Sequence, residues 1–442
     1  MKKIITYILS GIVVLISSFA CTTNFDETNS NPNSIDFGDL KAKNYFEPII
    51  YDGAKTWNNY TWYWCDQLMQ YEAFTGTTRE EHRYKIGEQD WNAWYTNFLS
   101  RWAVNADAMQ KASQDENLVI IEAIAMTFKA YYMANITDMF GDIPFSEAFK
   151  GRDGLLTPKY DTQKEVYLQL FDLLEGANEK YASGESFPLS MVSSDGMFNG
   201  DLTAWQKFNN SLYLRCLMRV SGRTEMNAGT KIKEIYDNPA KYPIIASNAD
   251  NASVKFTSTA PYQNYFAGAN TTEQNFNSER RLAKQFIDMT VLTDDDDASK
   301  QFLDPRLNIW AAPDGNRPWK GVISGGDRLD EAFVESTKNA SKLKYSVLCR
   351  ADMPYTLIDY AEVQFIFAES ALKGFIPGGK ALAKTFYESA VTASIQRWNE
   401  EAPYANLSSE DVITDEKIQK YLNHSAVVFN SSSDDAELLK RI

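Results

Sequence analysis

The chain has 442 residues, of which 44% are hydrophobic and 13% aromatic, a globular composition long enough for two or three domains or one large helical unit. Its 59 Asp and Glu against 44 Lys and Arg give a net charge of −15, which argues against nucleic acid as a partner, because phosphate binding needs a basic face. His82 and His424 are the only histidines, and with no His-Glu-x-x-His pattern neither a metal nor a cofactor is expected.

Residues 1–20 open with Met-Lys-Lys, followed by an apolar stretch from Ile4 to Leu15 and then Ile16-Ser-Ser-Phe-Ala before Cys21. This reads as a signal peptide, too short for a spanning helix. A cysteine after small residues at that junction reads as a lipobox, with Cys21 as the lipid attachment point, although Ser18 and Phe19 depart from the usual Leu and small residue. An ordinary signal peptide with an incidental cysteine is the alternative. Residues 21–40 are polar and turn-rich, as suits a lipid-anchored tether. The remaining Cys65, Cys216 and Cys349 form an odd, widely spaced set that implies no disulfide framework.

From about residue 41 the pattern is helical. Trp57, Tyr60, Trp62, Tyr63 and Trp64 crowd one segment, where 3,4 spacing favours core packing over a ligand site. Trp91 to Ala112 and Leu118 to Tyr132 are helical and separated only by Ser113-Gln-Asp-Glu-Asn117, which predicts an antiparallel hairpin. The second of these is apolar on two faces and ends at Gly141 and Pro144. Further helices are predicted at about 162–181, 203–221, 229–238 and 277–290. A second hairpin runs from Ile358 to Phe375 and returns from Ala381 to Trp398, where small and aromatic residues alternate as in a tetratricopeptide second helix. Long irregular stretches at 141–160, 182–200, 240–276 and 303–354 are expected to carry function. Val254 to Thr257 alternates, too briefly to predict a sheet. Asp294 to Asp297 lacks the Gly and Glu of a calcium loop and reads as solvated.

Five motifs resemble the SusD/RagB family of Bacteroidetes outer-membrane lipoproteins. They are Phe25-Asp-Glu-x-Asn-x-Asn31-Pro-Asn33; Gly141-Asp-Ile-Pro-Phe-Ser-Glu-Ala148; Trp205-Gln-Lys-Phe-x-Asn-Ser-Leu-x-Leu-Arg215-x-x-x-Arg219; Asp304-Pro-Arg306-Leu; and Tyr360-Ala-Glu362 through Glu369-Ser-Ala. The resemblance runs from Cys21 to the last residues. It implies a mostly α fold, with tetratricopeptide-like helix pairs as scaffold and long loops carrying the ligand site. It also implies a domain at 41–442 that lacks a further helix and a closing segment, which the family pattern places after Leu438-Leu-Lys-Arg-Ile442. Such proteins sit at the cell surface as lids on a SusC-like TonB-dependent transporter, binding oligosaccharide or, in some branches, peptide.

The residues themselves favour binding over catalysis, since no motif singles out a carboxylate pair for glycoside hydrolysis. Glu362 and Glu369 are read as structural, paired with Arg215 and Arg219. Sugars need flat aromatic faces ringed by polar groups. Candidates in loops are Phe74, Arg79 and Tyr84; Tyr262, Asn264, Tyr265 and Asn270; and Trp310, Arg317 and Trp319.

Overall fold

The computed structural model describes residues 40–76, 79–268 and 272–442. The expected signal peptide, Cys21, the tether through residue 39 and the candidate Asn270 lie outside these residues. Ala42–Ile442 forms one compact unit.

Eleven helices carry the description. They are α1 (Ala42–Tyr60), α2 (Glu88–Asn97), α3 (Val104–Asp115), α4 (Val119–Phe140), α5 (Gln163–Tyr181), α6 (Leu202–Arg219), α7 (Ala228–Asp237), α8 (Tyr360–Leu372), α9 (Gly379–Asn399), α10 (Asp415–Asn423) and α11 (Asp435–Arg441). Shorter helical turns occupy the loops. The pairs α3/α4 and α8/α9 pack on one another as the two predicted hairpins require; α5 packs on α6, and α6 also meets α8. By length and composition α4 could cross a bilayer; here both its apolar stripes are buried in the core. It stops at Gly141, whose φ of +74° a side chain would strain. Helix α5 starts on a capping box, with the Thr162 side chain and Glu165 each satisfying the other's backbone amide.

Two expectations need correction. The helix predicted over 277–290 is split into short helices at Glu273–Ser278 and Lys284–Thr290 by the strand Arg280–Leu282. That strand pairs antiparallel with Glu72–Phe74, so long-range pairing overrides a local helical pattern. Sheet is also more frequent than expected. Among the described residues eight short strands form four two-stranded ribbons: β1 (Glu72–Phe74) with β3 (Arg280–Leu282), β2 (Ala252–Val254) with β8 (Tyr355–Ile358), β4 (Val291–Thr293) with β5 (Gln301–Leu303), and β6 (Ala311–Ala312) with β7 (Lys342–Leu343). Strands this short show no usable alternation.

Three of the family-like motifs supply polar anchors between elements. In the segment after Gly141, the Phe145 and Ser146 amides and the Ser146 hydroxyl donate to the Asp161 carboxylate at 3.0, 2.6 and 2.8 Å. In α6, Trp205 Nε1 donates to Asp195 at 2.9 Å, Asn210 donates to Asn178 of α5 at 2.9 Å, and Thr127 of α4 donates to Asn209 at 2.8 Å. Arg215 grips both carboxylate oxygens of Glu362 at 2.5 Å and donates to the Leu357 carbonyl at 2.6 Å, tying α6 to α8. Arg219 instead meets Asp138 at 3.1 Å, and Glu369 pairs with Lys373 of its own helix at 2.5 Å. Only the Arg215 half of the predicted pairing therefore forms.

His82 belongs to a small separate cluster, 3% exposed, with its ring flat on Phe333 at 5.6 Å and 5°. Burial holds the imidazole pKa below 6.5, against a weaker raising effect of the Gly326 backbone. The unfolded chain takes up a proton near pH 6.5 that the folded chain resists. The stability His82 contributes is therefore full above about pH 6.5 and declines as pH falls below it. His82→Phe is expected to remove this component. Its denaturation midpoint should drop less than the parent's between about pH 7.5 and about pH 5.5, and an equal drop in both would count against the assignment.

Candidate functional site

The site grows from the aromatic segment at the end of α1. There the helix widens into a π-helical turn at Thr61–Cys65 before a short helical turn at Asp66–Leu68. A wider turn breaks the 3.6-residue register, and such turns recur at functional sites. Trp57, Tyr60 and Trp64 stay on the core side. Tyr60 stacks on Trp64 at 4.3 Å and on Trp94 at 5.0 Å, while Trp57 meets Trp94 edge-on at 5.3 Å. Trp62 leaves that face. It lies flat on Phe276 at 5.6 Å, meets Phe266 edge-on at 5.2 Å, and carries the Arg280 guanidinium over its ring at 3.9 Å.

Beside Trp62 lies a cavity of about 290 Å³, bounded by Phe266, Phe276, Met353, Pro354, Tyr355 and Trp398 and by the charged groups Asp66, Glu72, Asp359 and Arg397. Its size stands near the lower end of the ~300–1,000 Å³ of small-molecule sites, enough for one ring of a longer ligand. Ribbon pairing of β1 with β3 brings Glu72 and Arg280 together at 3.5 Å, each 2–3% exposed. Burial pushes the Glu72 carboxyl up to about 7, with Arg280 opposing the rise. Asp66 is held well above the usual carboxylate range, first by burial and then by the Glu72 charge. Burial also raises Asp359, although its carboxylate caps α8 by accepting from the Glu362 amide at 2.8 Å. Arg397 is engaged at 3.0 Å by Glu401, a residue only 4% exposed.

Several of the residues named as ligand candidates pack around this cavity. Asn264 is fully buried. Its side chain donates to the Met353 carbonyl at 3.1 Å and accepts from the Phe266 amide at 3.1 Å, fixing two cavity walls to each other. Phe74 is 5% exposed and lies 5.7 Å from the Arg280 guanidinium. Arg79 covers the Tyr63 ring at 4.3 Å and pairs with Glu81 at 2.8 Å. Tyr265 packs edge-on against Phe266 at 5.4 Å. Trp310 backs Trp398 at 5.5 Å and 87°.

The other candidates are not brought to the cavity lining. Tyr84 is 63% exposed at a φ of +58°, its hydroxyl donating to the Leu68 carbonyl at 3.1 Å. Tyr262 packs on Tyr51 at 4.8 Å, Arg317 pairs with Asp314 at 2.7 Å, and Trp319 packs on a small cluster around Leu282 and Leu307. Asp294 is partnered by Lys420 at 3.1 Å, Asp295 by the Ser425 amide at 2.7 Å and Asp297 by Lys300 at 3.0 Å. The residues that sequence reasoning missed are Trp62, Asp66, Glu72, Phe276, Arg280 and Trp398. For Trp62 a signal existed, since it sits off the stripe formed by Trp57, Tyr60 and Trp64. Glu72 and Arg280 meet only through ribbon pairing between distant strands, which leaves no local trace.

No curated protein matches the chain. Solved structures do. A SusD homologue from Bacteroides fragilis is 23% identical with a TM-score of 0.70, covering 91% of this chain and 82% of that one. A SusD homologue from Parabacteroides distasonis is 19% identical with a TM-score of 0.69, covering 87% and 76%. A chitin-binding SusD homologue from Flavobacterium johnsoniae is 21% identical with a TM-score of 0.65, covering 90% and 81%. At these identities the likeness concerns the fold. The match to a family model described as starch-binding and associating with the outer membrane is broader in meaning, because it spans residues 32–442, and by it the chain belongs to the SusD-like family.

Proposed function

We propose that this protein is a nutrient-binding lipoprotein of the cell surface, which captures oligosaccharide without cleaving it and delivers it to a TonB-dependent outer-membrane transporter. In this reading residues 1–20 are the signal peptide, Cys21 bears the lipid, residues 21–40 are the tether and residues 41–442 form the binding domain. The observation that carries it is the aromatic-walled cavity beside Trp62 in a chain whose family description is starch-binding and outer-membrane associated. Apolar ring faces suit the C–H side of a pyranose, and the carboxylates at the margin accept from hydroxyls.

Titration calorimetry of the purified protein against a panel of starch- and chitin-derived oligosaccharides is expected to show saturable binding of at least one. Prolonged incubation with that glycan should release no shorter product. Failure of every glycan to bind would sink the sugar reading, and release of product would sink the non-catalytic one.

A further inference from the structure

We propose that the cavity beside Trp62 receives the protonated amine of an amino sugar in the captured oligosaccharide. The proposal deepens the nutrient-binding reading and rests on it.

Three carboxylates face this cavity, and both the cation in its lining, Arg397, and the nearby Arg280 are already engaged. Arg280 donates to the Trp62 carbonyl, lies over the Trp62 ring and faces Glu72, while Arg397 is held by Glu401. Glu72 is 2% exposed; one of its carboxylate oxygens looks to Arg280 at 3.5 Å, and the other has no hydrogen-bond partner among the described residues. Both oxygens of Asp66 likewise lack a side-chain or backbone donor among those residues, and the residue is half-buried in the cavity lining. The cavity therefore offers surplus acceptors, and burial opposes the charge of Asp66 and Glu72 for want of a further counter-ion.

A neutral hydroxyl can donate to such acceptors but leaves their charge uncompensated. A primary ammonium brings three donors and the missing positive charge together. The walls add a second restriction. Phe266, Phe276, Trp62 and Trp398 give the lining an apolar, aromatic side suited to the C–H groups of a pyranose. An N-acetyl group on the same nitrogen would cancel the charge and turn a carbonyl oxygen toward carboxylates, so the pocket discriminates against the acetylated sugar.

The test compares oligosaccharides of equal length by calorimetry at low salt: a glucosamine oligomer, its fully N-acetylated counterpart and a maltooligosaccharide, with a lysine-rich peptide as a fourth ligand. The glucosamine oligomer is expected to bind about tenfold or more tightly than its acetylated form, the scale of one hydrogen bond to a charged group. Asp66→Asn should abolish that preference while leaving the melting temperature near the parent's, since Asp66 supports no hydrogen bond that the fold needs. Equal or tighter binding of the acetylated oligomer would overturn the amine assignment and leave the glycan reading standing. Tighter binding of the peptide than of any sugar would overturn it in favour of protein-derived cargo. Failure of all four ligands to bind would remove the proposal together with the reading beneath it.

Discussion

Arg280→Met is expected to destabilise the protein by about 3–5 kcal/mol near pH 8, and by clearly less near pH 5. Arg280 is 3% exposed and is the cation that faces Glu72 across the β1/β3 ribbon. Removing it leaves a buried carboxylate without its counter-charge, and the folded protein can relieve this only by protonating Glu72 and Asp66. The sign follows from the carboxyl already being raised to about 7 in the parent. A group whose folded pKa lies above its unfolded value binds more protons folded than unfolded. Its contribution is full below about pH 4.5 and is lost as pH rises through the folded value. Without Arg280 that folded value climbs further, so the difference between variant and parent grows with pH. Urea denaturation of both proteins at the two pH values measures it. A pH-independent difference, or one below about 1 kcal/mol at pH 8, would show that Glu72 does not depend on Arg280. Adding Glu72→Gln to the variant should recover part of the loss, because a neutral amide is far cheaper to bury than an unpaired carboxylate.

The second large effect is expected at Asp304→Ala, again about 3–5 kcal/mol, read as a lower urea midpoint at neutral pH. Asp304 is 2% exposed and accepts from the Arg306 Nε at 2.9 Å, the Arg306 Nη2 at 2.6 Å and the Tyr421 hydroxyl at 2.8 Å. Arg306 in turn donates to Ser394 of α9 at 2.8 Å and lies over Trp310 at 4.8 Å. One carboxylate thus clamps the loop after β5 to both α9 and α10. Burial would raise its pKa, but the guanidinium and the hydrogen bonds to Arg306 and Tyr421 outweigh it and hold the group below the usual carboxylate range. Asp304→Asn, which keeps one acceptor oxygen, should lose less than Asp304→Ala. Equal losses would place the effect in cavity formation rather than in the ion pair.

The helical scaffold was legible because its signal is redundant. In α4 and α8 the apolar 3,4 rhythm, Gly141 and the short connections all point the same way. The Arg215–Glu362 pair could also be named in advance, since an arginine and a glutamate on helices packed in a seam need opposite charges as partners. The binding region was less legible for a specific reason. Loop aromatics such as Trp310 and Trp319 look available in a sequence, yet here they pack on Trp398 and on the Leu282 cluster. Asn264 is polar and lies in a loop, but its value is as a brace between two backbones. Meanwhile the cavity wall Trp62 was concealed in a helix that reads as core. Periodicity reports the average face of a helix, and a single wide turn is enough to send one ring elsewhere.

That wide turn at Thr61–Cys65 has an evolutionary consequence. Trp57, Tyr60 and Trp64 hold the interior together while Trp62 and Asp66 meet the cavity, all within ten residues of one continuous helical segment. Loss or gain of one residue there would rotate everything downstream by roughly 100°, turning cavity groups inward and interior rings outward. Changes of cargo should therefore arise by substitution at Trp62 or Asp66, or by length variation in the loops bearing Phe266 and Phe276. The turn itself should resist insertion and deletion. A diversified library of this chain offers a direct readout: viable clones should carry loop-length changes around residues 265–276 and none across 61–65.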